Sequence, residues 1–355
     1  MRKNHMVKEI TLIGSPYERG VLYGREAKEE IRTSIESYRR LFGARGMDWQ
    51  QAREKACGFL EAIQKADVRY LEEMKGIAQG AALDFEDILA INCRSELLYA
   101  PLAPQECTAF SLVPPATKEG KVLAGQNWDY TRSQREALVI LRIPAQEGKP
   151  SQLLFLEAGM IGGKGMNSAG LSLTLNALST TEYAYGLPLH IRMRRILEQK
   201  TFEGAYQAAI EGGHPSPVHW IITHRDGRAL GLEIDCSGMD ELPPQGGAHF
   251  HTNHFIGPKF GARATPSPNS LARLDRISAL LGEGGALTVE DVKNALADHG
   301  NHPHCICKHV NPDAARDIMH QGATNHALIM DLTAGKAYFA LGNPCESEYQ
   351  ILKVE

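Results

Sequence analysis

"ECTAFSLV", residues 106–113, follows a polar turn at 104–105 and marks a change of hydrophobic period. From Cys107 onward the period is two. "CTAFSLV", "KVLAGQNW" (121–128), "ALVILRI" (137–143) and "QLLFLEA" (152–158) are short strand-like runs separated by Pro, Gly and Lys-rich turns. Before Cys107 the signals are helical. Ser15-Pro16-Tyr17-Glu18 is a capping box with proline at the first helical position, opening a helix through 25–42. Asp48 with Gln51, and Asp84 with Asp87 as a looser match, mark two further starts. Residues 1–106 therefore read as a helical leader and 107–355 as the part that carries the chemistry.

Further along, "GLSLTLNAL" (170–178) is strand-like and helices are expected near 188–211. "VHWIITH" and "RALGLEI" are joined by Arg225-Asp226-Gly227, a hairpin-type turn. Helices near 268–282 and 288–298 precede a last strand pair, "HALIMDL" (326–332) and "KAYFALG" (336–342). Strands in blocks and helices in blocks predict an α+β fold of stacked sheets covered by helices, not a doubly wound parallel sheet. No repeat or linker divides residues 1–355, so one domain is expected.

Composition narrows the partners. The 355 residues carry a net charge of -4, with 43% hydrophobic and 23% charged residues, and no electrostatic footprint for nucleic acid. A small metabolite is the expected partner. The N-terminus lacks an apolar signal-peptide core, and no stretch reaches membrane-spanning length, so no membrane association and a cytoplasmic location are expected. Seven scattered cysteines read as reduced thiols.

Several motifs can be set aside. "GMIGGKGMN" (159–167) fits neither a Walker loop nor a dinucleotide fingerprint and reads as a strand-to-strand turn. There is no Gly-x-Ser-x-Gly elbow. Arg192, Arg194 and Arg195 read as a solvated helix face, with anion binding as the other option. "DHGNHPHCICKH" (298–309) crowds His299, His302, His304, Cys305, Cys307 and His309 together. Its Cys-x-Cys is tighter than structural zinc sites use, so a polar loop near the active site is the first reading and a zinc-dependent hydrolase the alternative.

An isolated cysteine before a strand is usually packing. One hairpin away from Cys107, however, "GQNWDY" (125–130) gathers Gln126, Asn127 and Asp129 on a strand that should run beside it. A cysteine at a free chain terminus carries nucleophile and base together, because its α-amine, with a pKa of about 7.7–8.0, can take the thiol proton. It then needs a carboxylate to hold the amine and amide donors for an oxyanion. Asp129 fits the first need; Asn176 and Asn253 fit the second.

"ECTAF…GQNWDY", "GMNSAGLSLTLNAL", "PVHWIITHRDGRALGLEI", "HTNH" and "NSLARLDR", in that order, resemble the acyl-coenzyme A:6-aminopenicillanic acid acyltransferase family of N-terminal nucleophile hydrolases. "GSPYERGVLYGREAKEEI" and "MKGIAQGAALDFEDILAINCRSELL" extend the resemblance through the leader. It implies a four-layer αββα sandwich and self-cleavage between Glu106 and Cys107, with the leader retained as the α chain of an α/β heterodimer. It also implies Cys107 as nucleophile, Asp129 as anchor of its amine, Asn253 as first choice of oxyanion donor, and Asn176 as a pocket residue. Related bile-salt hydrolases and penicillin V acylases have arginine where this chain has Gln126. An arginine near the nucleophile would favour its thiolate, and Arg273 is the candidate, with Arg276 competing. The penicillin enzyme has glycine before its nucleophile, where this chain has Glu106. Trp128 and Tyr130 suit many acyl chains, or simply pack. The expected activity is an autoproteolytic cysteine amidohydrolase or acyltransferase acting on a small amide, without cofactor or metal. Acyl-coenzyme A enters as co-substrate in the transfer branch. A non-catalytic binding protein on the same scaffold is the remaining alternative, and the homo-oligomeric state is left open.

Overall fold

In β5 (Gln152–Glu157) Leu154 and Leu156 pack among helices, while Leu153 and Phe155 face a second sheet. A strand apolar on both faces belongs in the middle of a layered structure. The computed structural model describes residues 7–98, 106–179, 184–260, 265–282, 285–311 and 322–355; the turn at 104–105 lies outside them.

One sheet has eight strands in the order β1 (Lys8–Thr11), β4 (Leu138–Ile143), β5, β6 (Lys164–Asn167), β7 (Leu171–Ala177), β8 (Val218–His224), β9 (Ala229–Asp235) and β10 (Gly238–Leu242). The other has six, in the order β11 (Ala248–His251), β2 (Glu106–Leu112), β3 (Leu123–Thr131), β12 (Gly322–Asp331), β13 (Lys336–Leu341) and β14 (Gln350–Lys353). Val122, Ala124, Ile140, Phe155, Leu328 and Phe339 fill the space between them. Outside the eight-stranded sheet lie α1 (Pro16–Glu26), α2 (Lys28–Gly43), α5 (Val68–Ala81), α6 (Phe85–Asn92), α8 (Leu189–Leu197) and α9 (Phe202–Ile210). Outside the six-stranded sheet lie α10 (Pro268–Leu281) and α11 (Val289–Leu296). The layers are helix, sheet, sheet, helix.

Capping explains where the leader helices start. Ser15 and Asp48 both close capping boxes, with Glu18 and Gln51. At Asp84 the backbone N–H donates to Asp87 Oδ2 at 3.3 Å. The run expected through 25–42 divides at Ala27, which ends α1 and precedes α2. The helical stretch near 188–211 likewise breaks before Thr201, whose side chain caps α9.

Three features depart from the sequence reading. The leader supplies a strand, β1, which pairs parallel with β4 and ties residues 8–11 into the eight-stranded sheet. Residues 238–242 and 248–251 form strands that the pattern did not suggest. Arg192 and Arg194 are buried, not solvated. Arg192 donates to the backbone oxygens of Ala208 in α9 and of Gly213 beyond it, while Arg194 pairs with Glu73 at 3.2 Å and Glu198 at 3.0 Å. Buried guanidinium groups persist only when their donors are satisfied in this way. Glu73 also pairs with Arg19 at 2.6 Å, so this network joins the leader to the second half of the chain.

The tightest helix contact in the leader is α1 against α5. A Cβ on Gly76 would lie 2.2 Å from the Tyr17 carbonyl oxygen, and one on Gly20 would lie 2.2 Å from that of Glu73. Backbone on both sides cannot yield. Gly76→Ala is therefore expected to cost at least about 3 kcal/mol, whereas Gly43→Ala, with open space around its Cβ, should stay within about 0.5 kcal/mol of the parent. Urea unfolding midpoints read the difference; equal midpoints would contradict the packing described.

Candidate active site

The period of two in β2 decides what surrounds Cys107. Phe110 and Leu112 pack with α10 and α11, and Thr108 shares their face, so Cys107 and Ser111 turn toward the other sheet. Ser111 accordingly accepts a hydrogen bond from Thr223 of β8. Cys107 is 3% exposed. Its strand pairs antiparallel with β3, setting Cys107 opposite Trp128 and Glu106 opposite Asp129.

Both ends of the Cys107 peptide unit are gripped by side chains. Its N–H donates to Asn253 Oδ1 at 2.6 Å. Its carbonyl accepts from an Arg273 Nη at 2.6 Å and from Asn176 Nδ2 at 3.1 Å. Arg273 is fully buried; it also donates to Thr108 Oγ1, Asn253 Oδ1 and Asn269 Oδ1. Asn253 presents its oxygen to Cys107, while its Nδ2 donates to the Ala177 carbonyl at 3.0 Å. Arg276 instead pairs with Asp298 at 2.6 Å, so the arginine beside Cys107 is Arg273.

Asp129 lies on the opposite face of the six-stranded sheet from the thiol. Its Oδ1 accepts from Thr324 Oγ1 at 2.6 Å, while Oδ2 is buried without a hydrogen-bond partner. Burial pushes its carboxyl up to about 7, against the pull of Arg273 and the Thr324 hydrogen bond. Beside it the Glu106 carboxylate pairs with Lys308 Nζ, and the Lys308 N–H donates to Thr324 Oγ1 at 2.9 Å. Gln126 accepts from the Leu175 N–H at 2.8 Å and so joins the two sheets. Trp128 and Tyr130 stack at 5.4 Å on the face that Cys107 shares.

The sequence reading passed over Lys164. The glycine-rich run containing it does connect β5 to β6, but Lys164 is the first residue of β6 and points between the sheets. Its Nζ sits 4.4 Å from the centre of the Trp128 ring. Burial brings its ammonium down to about 8, opposed by the attraction of the Cys107 thiol. That thiol is itself pushed up to about 11 by burial, opposed first by Lys164. No sequence signal marks it, because its burial arises only where the two sheets meet. A polar cluster behind Asn176 was also missed. Asn176 Oδ1 accepts from His219 Nδ1 at 3.0 Å, and His219 Nε2 meets His249 Nε2 at 3.0 Å. His251 stacks on His219 at 3.5 Å and pairs with the buried Glu233 at 2.8 Å. Glu233 also accepts the N–H groups of Ile256 and Gly257, which holds the loop that carries Asn253.

A surface hollow lined by Gln146, Lys149, Ser168 and Lys200 includes none of these residues. Among the described residues no helix is long and apolar enough to cross a membrane.

Comparison with known proteins gives concordant results. A family model described as acyl-coenzyme A:6-aminopenicillanic acid acyl-transferase matches residues 116–346. The chain is 31% identical over 342 residues to the acyl-coenzyme A:6-aminopenicillanic-acid-acyltransferase 40 kDa form of Emericella nidulans, covering 94% of this chain and 92% of that protein. A variant of conjugated bile acid hydrolase from Clostridium perfringens superposes with a TM-score of 0.51 at 14% identity, over 70% of this chain and 97% of its own. The Caenorhabditis elegans ortholog of N-acylethanolamine-hydrolyzing acid amidase gives 0.47 at 16% identity, over 64% and 93%. The layers described above are the αββα sandwich of the N-terminal nucleophile hydrolases. With the family model spanning most of the chain and 31% identity across nearly all of it, this protein belongs to the acyl-coenzyme A:6-aminopenicillanic acid acyltransferase family.

Proposed function

We propose that the chain cuts itself between Glu106 and Cys107 and then works through Cys107 as a cysteine amidohydrolase or acyltransferase on a small N-acyl compound. The observation that carries this reading is the grip of Asn253, Arg273 and Asn176 on both ends of the Cys107 peptide unit. Packing alone would not require three polar side chains, two of them fully buried, around one cysteine backbone.

In the uncut chain Cys107 Sγ attacks the Glu106 carbonyl carbon. The thiol proton passes to the departing nitrogen, the C–N bond breaks, and a thioester joins Glu106 to Sγ. Lys164, brought near neutrality on the thiol's own face, is the base for this step. Water then hydrolyses the thioester, leaving a Glu106 carboxylate and a free Cys107 α-amine. The orphaned Asp129 Oδ2 is the natural partner of that new ammonium, with Asn253 Oδ1 keeping its bond to the same nitrogen.

In turnover the α-amine, in the neutral form that its pKa of about 7.7–8.0 leaves populated near neutral pH, takes the thiol proton, Sγ attacks the substrate carbonyl, and Asn253 Nδ2 serves the oxyanion. The resulting thioester acyl-enzyme yields to water or to an amine. We favour hydrolysis of a small N-acyl or β-lactam-like amide, because transfer requires a dry pocket that selects amine over water. Acyl-coenzyme A would be the donor in a transfer reaction. Gln126, Trp128 and Tyr130 line the acyl side, and the leader stays bound through β1, the α1–α5 contact and the Glu73 network.

Intact mass and N-terminal sequencing of freshly purified protein should give two fragments, the larger beginning at Cys107. Cys107→Ala should remain full length and inactive; cleavage or turnover in that variant would end the proposal, and an intact wild-type chain would favour a binding protein. The cleavage rate of freshly synthesised chain should rise as pH passes through about 8 and then level off, since Lys164 must be neutral to accept a proton. Lys164→Met should slow cleavage by about 100-fold and remove that inflection. A profile unchanged by the substitution would exclude Lys164 as the base.

Asp129 supplies a stability test. Burial raises its carboxyl from the ordinary 3.8 to about 7, so the fold favours the protonated form. Stability is lost as pH rises from about 4 to 7. In an uncut Cys107→Ala background, adding Asp129→Asn should therefore gain a few kcal/mol over that interval relative to the unmodified aspartate, one pKa unit being about 1.4 kcal/mol. A pH-independent difference would show that Asp129 has a counter-charge already.

A further inference from the structure

The turn between β13 and β14 brings Cys345 against the strap that follows α11. Cys345 Sγ lies 3.5 Å from Cys307 Sγ and 3.2 Å from His309 Nε2. His309 Nε2 lies 3.0 Å from His299 Nε2 and 4.0 Å from Cys307 Sγ. One donor atom from each of the four falls within 4.8 Å of all the others. A tetrahedral zinc ion with Zn–S of about 2.3 Å and Zn–N of about 2.0 Å sets its donors roughly 3.3–3.8 Å apart. The four atoms have nearly that arrangement.

We propose that His299, Cys307, His309 and Cys345 form a structural Cys2His2 zinc site. Two thiolates and two neutral imidazoles balance the charge of Zn²⁺. Groups around the donors suit the ion as well. Asn343 Nδ2 points at Cys307 Sγ from 3.6 Å, placing an N–H beside a sulfur that would be a thiolate. Glu346 Oε1 stands 3.8 Å from His309 Nδ1, on the far side of the ring from the proposed metal, as in carboxylate–histidine–zinc arrangements.

Of the crowded residues in 298–309, three enter the site and three do not. His304 Nδ1 faces Asn269, and Cys305 Sγ donates to the Cys307 carbonyl; His302 is not among the four donors. Cys345, distant in sequence, completes the set. Four protein donors leave no position for a reacting water, so this is a closed site and not the centre of a zinc hydrolase.

Lys308 stands between two of the donors and pairs with Glu106. The ion would therefore pin the strap that holds the residue preceding Cys107. This last consequence rests on the proposed cleavage, but the metal site itself does not.

The test uses full-length Cys107→Ala protein, so processing cannot affect it. Elemental analysis after growth with zinc should find one zinc per chain, and wild-type protein should match. Stripped protein titrated with Co²⁺ should show a thiolate-to-cobalt charge-transfer band and tetrahedral d–d absorption, both displaced by Zn²⁺. Cys345→Ser should abolish the thiolate pattern of two sulfurs, and Glu346→Ala should weaken zinc binding by about tenfold. Stripped wild-type protein that takes up no Co²⁺ while its thiols titrate as free would overturn the proposal. A Cys307–Cys345 disulfide, detected as a mass deficit of two hydrogens in freshly purified protein, would overturn it too.

Discussion

A buried guanidinium must find a partner for nearly every N–H it carries, and Arg273 finds them at the junction of three elements. It rises from α10 to the carbonyl of Cys107 and the hydroxyl of Thr108 on β2, and to Asn253 in the loop after β11. Its Nε is returned to α10 through Asn269. The alternation of β2 dictates the mode of contact. Thr108 faces α10 with its side chain, whereas Cys107 faces away and can be reached from α10 only through its backbone. Arg273 thus positions the thiol without touching it. Lysine lacks the planar fork that makes these bonds together. Removing the group would take one of two donors from the Cys107 carbonyl and one of two from Asn253 Oδ1.

The space between the sheets has two characters. One end is filled by Phe155, Met166, Leu328 and Phe339. The other holds Asn176, His219, His249, His251 and Glu233, linked by hydrogen bonds and ring stacking. Apolar packing at the first end brings the sheets together without specifying which polar groups meet. The second end specifies them, because every buried donor there needs an acceptor in register. Cys107 lies where β2 meets that polar end, with Asn176 reaching across from β7.

How much of this could be read from the sequence depended on the range of the interaction. Capping boxes, the Arg225-Asp226-Gly227 turn and the change of period at Cys107 are local, and they located α1, α3 (Trp49–Cys57), the hairpin of β8 and β9, and the strands around the thiol. The pairing of Cys107 with the "GQNWDY" strand was legible because the two strands follow one another in the chain, with only residues 113–122 between them. Lys164 and the histidine cluster were not legible. Their significance arises only when two sheets meet face to face, and a polar residue in a strand does not disclose what lies opposite. Arg192 and Arg194 failed for the same reason: a run of arginine on a helix is normally solvated, and burial becomes tolerable only through tertiary partners, the backbone oxygens of Ala208 and Gly213 for Arg192 and Glu73, more than a hundred residues away, together with Glu198 for Arg194. The strand β1 also escaped notice, since its partner β4 lies beyond the whole helical leader.

The charges around the Glu106–Cys107 bond are unevenly matched before any cut. Glu106 and Asp129 stand opposite one another across two strands, and Lys308 neutralises only the first. Burial first, and the neighbouring Glu106 charge to a lesser degree, make Asp129 hold its proton against the pull of Arg273 and Lys308. On the proposed processing, hydrolysis would create one ammonium at Cys107 and one carboxylate at Glu106. The ammonium would be fixed by β2 beside Asp129, while the carboxylate would end a chain segment no longer tethered to the strand. The unfavourable charge pattern of the uncut chain would become the favourable one of the cut chain. Re-forming the peptide bond would then have to break a buried ion pair as well as expel water, so the same carboxyl group that waits unpaired in the precursor would hold the processed site in place.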